Sequence, residues 1–316
     1  MRERRGKAPT LALPYSLGQP RRVRIWITGA AGFVGRRLSV RLRGVGHAVI
    51  GVDREVELTD APRLARSLAG ARADAVIHLA ALSSPAHALR EPELAARVNY
   101  VGTRAVLEAV RTVAPQARVL LVSSGDVYGS HDAGGAPFRE TDPLAPRTPY
   151  ARSKACADLL GASYAERGLD VVSVRPFNHT GPGQAPVFVA PAFAHQIAAI
   201  AAGRSEPVIT VGNLASVRDF LDVDDVLDAY QRLLDRAVPT GVYNVASGIG
   251  RRISELLEAM IEIAGVRCTI AVDPERVRPT DSAIGDASRL RAATGWEPRT
   301  PWRETLSRLL AAARAA

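Results

Sequence analysis

Hydrophobic and polar positions alternate along this chain in two registers. Short, nearly continuous apolar runs fall at residues 23–28, 48–53, 75–80, 119–123 and 171–176, and each reads as a strand buried on both faces. Helix-length stretches lie between them near 33–44, 60–69, 88–112 and 151–167. Strands alternating with helices predict a parallel sheet covered on both sides, an α/β doubly wound fold with its ligand at the carboxyl ends of the strands. Residues 129–149 are rich in Gly and Pro, a loop long enough to predict that it covers a site. Past residue 176 the alternation loosens into shorter elements and a closing helix near 303–315. The expected division is a basic N-terminal extension over 1–22, a nucleotide-binding domain over 23–177 to which some later segments return, and a smaller, mainly substrate-binding C-terminal domain over 178–316.

Composition narrows the function classes. The 316 residues are 47% hydrophobic and 23% charged, enough for a large core and too apolar for a disordered chain. A membrane span needs about 18 consecutive apolar residues, and the nearest stretch, 186–203, is broken by Pro191, His195 and Gln196. There is no secretory pattern, and two cysteines, Cys156 and Cys268, cannot build a disulfide framework, so a cytoplasmic location is expected. The six histidines are scattered, which predicts no metal site.

The net charge of +9 invites a nucleic-acid reading, but +5 of it lies in residues 1–22. With aromatics at 5%, the body lacks the interleaved basic and aromatic surface that binds nucleic acid, and no such partner is expected. The lysine count is more telling: Lys7 and Lys154 stand against 39 arginines. Arginine does not readily deprotonate and carries a wide planar head, so the one lysine of the body asks for a chemical reason.

The first strand runs into Thr28-Gly29-Ala30-Ala31-Gly32-Phe33-Val34-Gly35 and then a helix. Glycines there let backbone N–H groups approach a pyrophosphate at a positive helix end, which marks the fold as Rossmann-type. Asp53 closes the second strand, 18 residues beyond Gly35. A carboxylate at that place takes ribose hydroxyls and repels a 2′-phosphate, so NAD(H) is favoured; Arg54 beside it leaves NADP(H) open. Tyr150 and Lys154, at i and i+4, share a helix face. A phenol beside an ammonium and an oxidised nicotinamide is expected to have its pKa lowered and to trade a proton with a sugar oxygen. Ser124, ending an apolar strand, is placed to bond the same oxygen.

These residues, with His78-Leu79-Ala80-Ala81, Asn99, Ser123-Ser124-Gly125-Asp126-Val127-Tyr128-Gly129 and Gly295-Trp296, make the chain resemble the extended short-chain dehydrogenases/reductases that act on nucleotide sugars. The match runs over roughly 23–302. The resemblance implies that Leu79, Ala80, Ala81, Asn99 and Ser123 lie along the dinucleotide with the glycine turn, that Glu57 and Leu58 sit at the adenine, and that Ser124, Tyr150 and Lys154 form the catalytic triad. It further implies a homodimer through the helices near 88–112 and 151–167. The stretches 177–184, 188–189, 193–197, 212–214, 217–220 and 243–250 are similar to GDP-4-keto-6-deoxy-D-mannose reductases. That similarity places Asn178 and Val189 at the substrate, His179 near the nicotinamide ribose, and Arg218 and Arg278 on the phosphates, a task that suits the guanidinium.

Sister activities remain open at this point. A 4,6-dehydratase needs acid and base groups beside the serine. The pair found in dTDP-glucose-type enzymes is broken here by Gly125, while Asp126 is a shortened form of the single glutamate of GDP-mannose dehydratases. Asp126 reads equally as a turn residue or a ligand of a sugar hydroxyl. A 4-epimerase uses the same triad. A cofactor-sensing relative without activity is disfavoured because no triad member is missing.

Overall fold

The computed structural model describes residues 22–53, 57–131, 135–277 and 279–316. In its first half the chain runs β1 (Arg24–Thr28), α1 (Phe33–Gly44), β2 (Ala48–Val52), α2 (Ala61–Ala71), β3 (Ala75–His78), α3 (Pro85–Arg90) and α4 (Pro92–Ala96). A π-helical turn (Arg97–Val101) leads into α5 (Gly102–Val113), followed by β4 (Arg118–Val122), a 3-10 turn (Gly125–Tyr128), α6 (Pro149–Glu166) and β5 (Val171–Pro176). The second half holds β6 (Asn178–Thr180), α7 (Val189–Ala201), β7 (Val208–Val211), β8 (Val217–Asp222), α8 (Val223–Leu233) and β9 (Gly241–Val245). It closes with β10 (Gly250–Arg252), α9 (Ile253–Ala264), β11 (Thr269–Val272), β12 (Ser282–Ala283), α10 (Ser288–Thr294) and α11 (Trp302–Arg314).

Six parallel strands form the main sheet in the order β2-β1-β3-β4-β5-β9. The order reverses between β1 and β3, which opens a crevice at their carboxyl ends. Strands β3 and β5 are buried along their whole length, as continuous apolar runs between two helical layers require. One core packs β1, β3, β4 and β5 against α1, α8 and α10; a second packs the opposite face against α2 and α5. A third, formed by α7, α9, α11 and β7, belongs to the second half alone. There β8 pairs with β6, β10 and β12, and β7 pairs with β11.

Later segments join the main sheet and its helices. Strand β9 completes its edge beside β5, and α8 is fastened to α1 where Arg41 bonds Asp228 at 2.7 Å and Gln231 at 2.7 Å. Two expectations need correction. The stretch read as one helix over 88–112 is α3, α4, the π turn and α5. Pro85 and Pro92 each take the first helical position, with Ser84 capping α3 through His87 N–H; proline lacks the N–H that would continue a preceding helix. The 129–149 loop does not cover the cleft: none of its described residues lines it. It pairs instead with the second half, His131 with Ser282 and Phe138 with Gly285, because buried Phe138 stacks on Tyr128 at 5.0 Å and takes the loop inward.

Candidate active site

A cleft of about 1280 Å³ opens at the switch point. Its floor begins at the glycine turn. Gly29 adopts φ +71°, and a Cβ there would stand 2.7 Å from the Ala80 nitrogen. At Gly35 a Cβ would meet the Gly29 carbonyl oxygen at 2.1 Å. The turn is therefore pressed against the end of β3 and the start of α1, with no room for side chains. Gly32 opens α1 without a side-chain cap and with no acid in the first turn. That leaves the positive helix end for an anion, as a bound pyrophosphate requires. Asp53 lines the cleft and accepts the Ala31 N–H at 2.9 Å, so one oxygen braces the turn. Glu57, Leu58, Leu79, Ala80, Ala81, Phe33 and Val34 line the cleft as well.

Behind the wall runs a buried chain of hydroxyls and imidazole. Thr28 meets His78 at 2.7 Å, and His78 meets Thr103 at 3.0 Å. Burial pushes the His78 imidazole down to about 3, with the Lys154 charge adding to it. His78 is thus a neutral bridge between β3 and α5.

The reactive groups stand farther in. Ser123, Ser124, Asp126, Tyr150, Lys154, Asn178 and His179 all line the cleft. Thr148 caps α6 by accepting the Ala151 N–H at 3.1 Å, so the helix starts with Tyr150 in its first turn and Lys154 one turn later. The Tyr150 phenol is hydrogen-bonded to Ser124. Lys154, 5% exposed, donates through Nζ to the Val122 carbonyl at the end of β4. Burial lowers its ammonium to about 8, with Asp158 pulling the other way. Asp126 is exposed in the cleft; desolvation raises its carboxyl, Arg218 opposes and Asp281 adds. His179 bonds the Phe177 carbonyl at 3.1 Å, stacks on Phe33 with centroids 6.5 Å apart, and has its imidazole lowered by burial.

The ammonium by itself does not lower the Tyr150 phenol in the protein alone. Its pKa is raised, by burial first and by the Asp126 charge second, and only the Ser124 bond opposes. The ammonium of Lys154 is spent on a strand carbonyl, and desolvation dominates. Three positions also depart from expectation. Asn99 does not line the cleft. It is 1% exposed and brackets the wall from behind, bonding both Leu82 backbone groups and the Ser153 hydroxyl. Val189 begins α7 and packs into the third core, while its neighbour Phe188 faces the cleft. Arg218 is absent from the lining; its terminal nitrogens go to Asp281 at 2.7 Å and to the Val217 and Asp281 carbonyls. Arg54 and Arg278 lie outside the described residues.

Sequence reading missed Ser83, Ser84, His87 and Tyr230 in the lining. Tyr230 is 1% exposed and comes from α8, seven residues after buried Val223, a spacing that reads as core. Its phenol has no hydrogen bond to the described residues and is raised by burial and by Tyr150. Gly125 carries a further constraint: a Cβ there would lie 3.1 Å from three ring carbons of Phe177, so a side chain at this position requires the Phe177 ring to give by a few tenths of an ångström.

The profile of the NAD dependent epimerase/dehydratase family matches residues 25–246. A GDP-6-deoxy-D-mannose reductase of Pseudomonas aeruginosa is 37% identical over 292 residues, covering 91% of this chain and 96% of that protein. The solved structure of RMD from Pseudomonas aeruginosa complexed with NADPH is similar with a TM-score of 0.86 and 35% identity, over 93% of this chain and 99% of that one. The Thermus thermophilus UDP-glucose 4-epimerase complex with NAD matches with a TM-score of 0.83 and 28% identity, over 92% and 99%. A glycine turn at the switch point, a Ser-Tyr-Lys cluster at the end of β4 and these likenesses agree, and the chain belongs to the NAD dependent epimerase/dehydratase family.

Proposed function

We propose that the protein is an NAD(P)H-dependent reductase of the C4 ketone of a 4-keto-6-deoxy nucleotide sugar. The GDP-linked, mannose-derived ketone is the substrate of choice and GDP-D-rhamnose, or its C4 epimer, the product. The glycine turn fits a dinucleotide pyrophosphate, since the crowded Cβ positions at Gly29 and Gly35 keep side chains off the turn and let the backbone approach the ligand. When bound, the reduced nicotinamide supplies the hydride that reaches C4. Tyr150 holds the proton that the ketone oxygen takes up, and its raised pKa keeps that proton in place at working pH. Ser124, bonded to Tyr150, orients the same oxygen. Lys154 holds a positive charge at the end of β4, Asp126 meets a sugar hydroxyl, and Asn178 and His179 line the path from sugar diphosphate to nicotinamide ribose.

The lone carboxylate favours reduction over a dTDP-glucose-type dehydration, and the 37% identity to a GDP-6-deoxy-D-mannose reductase, against 28–30% for GDP-mannose dehydratases, supports it over the latter. Elimination of the dTDP-glucose type needs acid and base beside the serine, and Gly125 supplies neither, its Cβ position lying 3.1 Å from the Phe177 ring. Asp53 favours NAD(H), whereas the Pseudomonas relative was solved with NADPH, so both are used in the test. The enzymatically prepared GDP-4-keto-6-deoxy sugar is supplied with NADH or NADPH, cofactor oxidation is followed, and the C4 configuration of the product is determined by NMR. Oxidation of the cofactor with appearance of a 6-deoxyhexose is expected. If neither cofactor is oxidised and GDP-mannose is dehydrated instead, the dehydratase reading takes its place; interconversion of C4 epimers without net cofactor use would favour an epimerase.

The same reading makes the protein a homodimer and a cytosolic one. Exposed Leu89 on α3, Tyr100 on the π turn and Leu159 on α6 give the α3–α6 side an apolar face suited to a second copy. Free Cys156 and Cys268 fit a reducing compartment. No helix among the described residues is long and apolar enough to cross a membrane.

A further inference from the structure

A buried ionic network lies directly behind the reactive groups, and the chemistry above does not use it. Asp158, 2% exposed, sits one turn after Lys154 on α6. Its Oδ2 accepts from the Ser123 hydroxyl at 2.8 Å and from Arg175 Nε at 2.7 Å. Arg175, on β5 and 6% exposed, also donates to the Tyr128 hydroxyl at 2.7 Å, and Tyr128 donates to Asn244 Oδ1 at 2.8 Å. The network joins β4, α6, β5 and β9. Packing alone gives no reason for it, because apolar residues in place of a buried ion pair are frequently neutral or stabilising. Its position does: Ser123 precedes Ser124, and Asp158 lies on the Lys154 helix.

The groups bearing on Lys154 are few. His78 on β3 is held neutral, and the Tyr150 phenol on α6 stays protonated. From the α3–α5 side, His87 is paired with Glu91 and Glu108 with Tyr164 at the far end of α6. The Val122 carbonyl takes the Nζ proton directly. Asp158 is the one carboxylate that acts on the ammonium, opposing its desolvation.

We propose that Asp158 is a positioning residue, fixed by Ser123 and Arg175, whose carboxylate is the counter-charge that keeps Lys154 protonated and aimed at the end of β4 beside Ser124. Its consequence for turnover rests on the catalytic reading above; its effect on Lys154 does not.

The lysine count makes the test direct. Protein grown with 13C,15N-lysine carries two labelled side chains, Lys7 and Lys154, and Lys7→Arg assigns them. The Lys154 Cε signal is followed against pH in the cofactor-free protein. The wild type is expected to titrate near 8, Asp158→Asn about one unit lower, and Asp158→Glu near the wild type. Asparagine leaves Arg175 buried without its carboxylate, so Asp158→Asn/Arg175→Gln is measured too, with the same downward shift expected. The alkaline limb of the kcat profile should move down with the midpoint. An unmoved Lys154 midpoint in both the single and the paired variant overturns the proposal whatever turnover does. A moved midpoint with an unmoved limb supports it and overturns the catalytic assignment of Lys154 instead.

Discussion

Lys154 is held at a cost. Its ammonium, 5% exposed, titrates near 8 in the folded chain against 10.5 ordinarily. Between those values the unfolded chain binds more protons, so stability rises with pH across the window, and below pH 8 the penalty is present in full. Lys154→Met is therefore expected to raise stability at pH 7 by on the order of 2 kcal/mol while removing turnover. Denaturant unfolding at pH 7 and pH 10 checks it: the gain should shrink toward the higher pH, and a destabilised variant at pH 7 would sink the idea. Tyr150→Phe should fold and bind the dinucleotide yet lose activity by roughly 10²–10⁴-fold, the span of a positioned acid. Turnover left unchanged would remove Tyr150 from the mechanism. Both residues were legible in the sequence through their spacing and the scarcity of lysine. The sign of the phenol shift was not, because it depends on desolvation and on Asp126, which a helix pattern does not contain.

At the scale of elements, the glycine turn couples β1, α1 and the end of β3. Gly35→Ala puts a methyl 2.1 Å from the Gly29 carbonyl oxygen, and relief requires α1 to move away from the turn. A loss of about 2–4 kcal/mol is expected, with dinucleotide affinity falling further than stability alone explains. Thermal unfolding and fluorescence titration with NADH separate the two; an alanine variant that binds normally would mean that the turn does not cradle the pyrophosphate. The turn could be read from sequence because its geometry is local. The interrupted helices over 85–113 were misjudged because their apolar periodicity is nearly continuous, and only the placement of Pro85 and Pro92 at helix starts separates them. The 129–149 loop was misassigned for a different reason. Its destination is set by Phe138 reaching Tyr128 and by backbone bonds to Ser282 and Ile284, contacts more than a hundred residues apart in the latter case.

For the whole molecule, the two halves share one site. The second half returns β9 to the sheet and sends Tyr230 from α8 into the cleft. The exposed face of α3–α6 carries the proposed pairing surface. Leu159→Arg, on a residue 60% exposed, should leave the circular dichroism spectrum unchanged and convert a dimer to a monomer in light scattering, with any loss in unfolding midpoint growing with protein concentration. A wild-type monomer, or a variant that still dimerises, would remove α6 from the interface.

The sequence by itself determined the alternation of buried strands and helices, the glycine turn, and the shared helix face of Tyr150 and Lys154, since each depends on residues a few positions apart; Ser124 joined that pair through the family resemblance. Tertiary structure alone decided that Asn99 braces the wall from behind, that Arg218 is engaged by Asp281, and that Asp158 and Arg175 stand behind Lys154. Those outcomes turn on which charges and hydroxyls meet after burial. In a low-dielectric interior each must find its partner across the fold, and local periodicity says nothing of who that partner is.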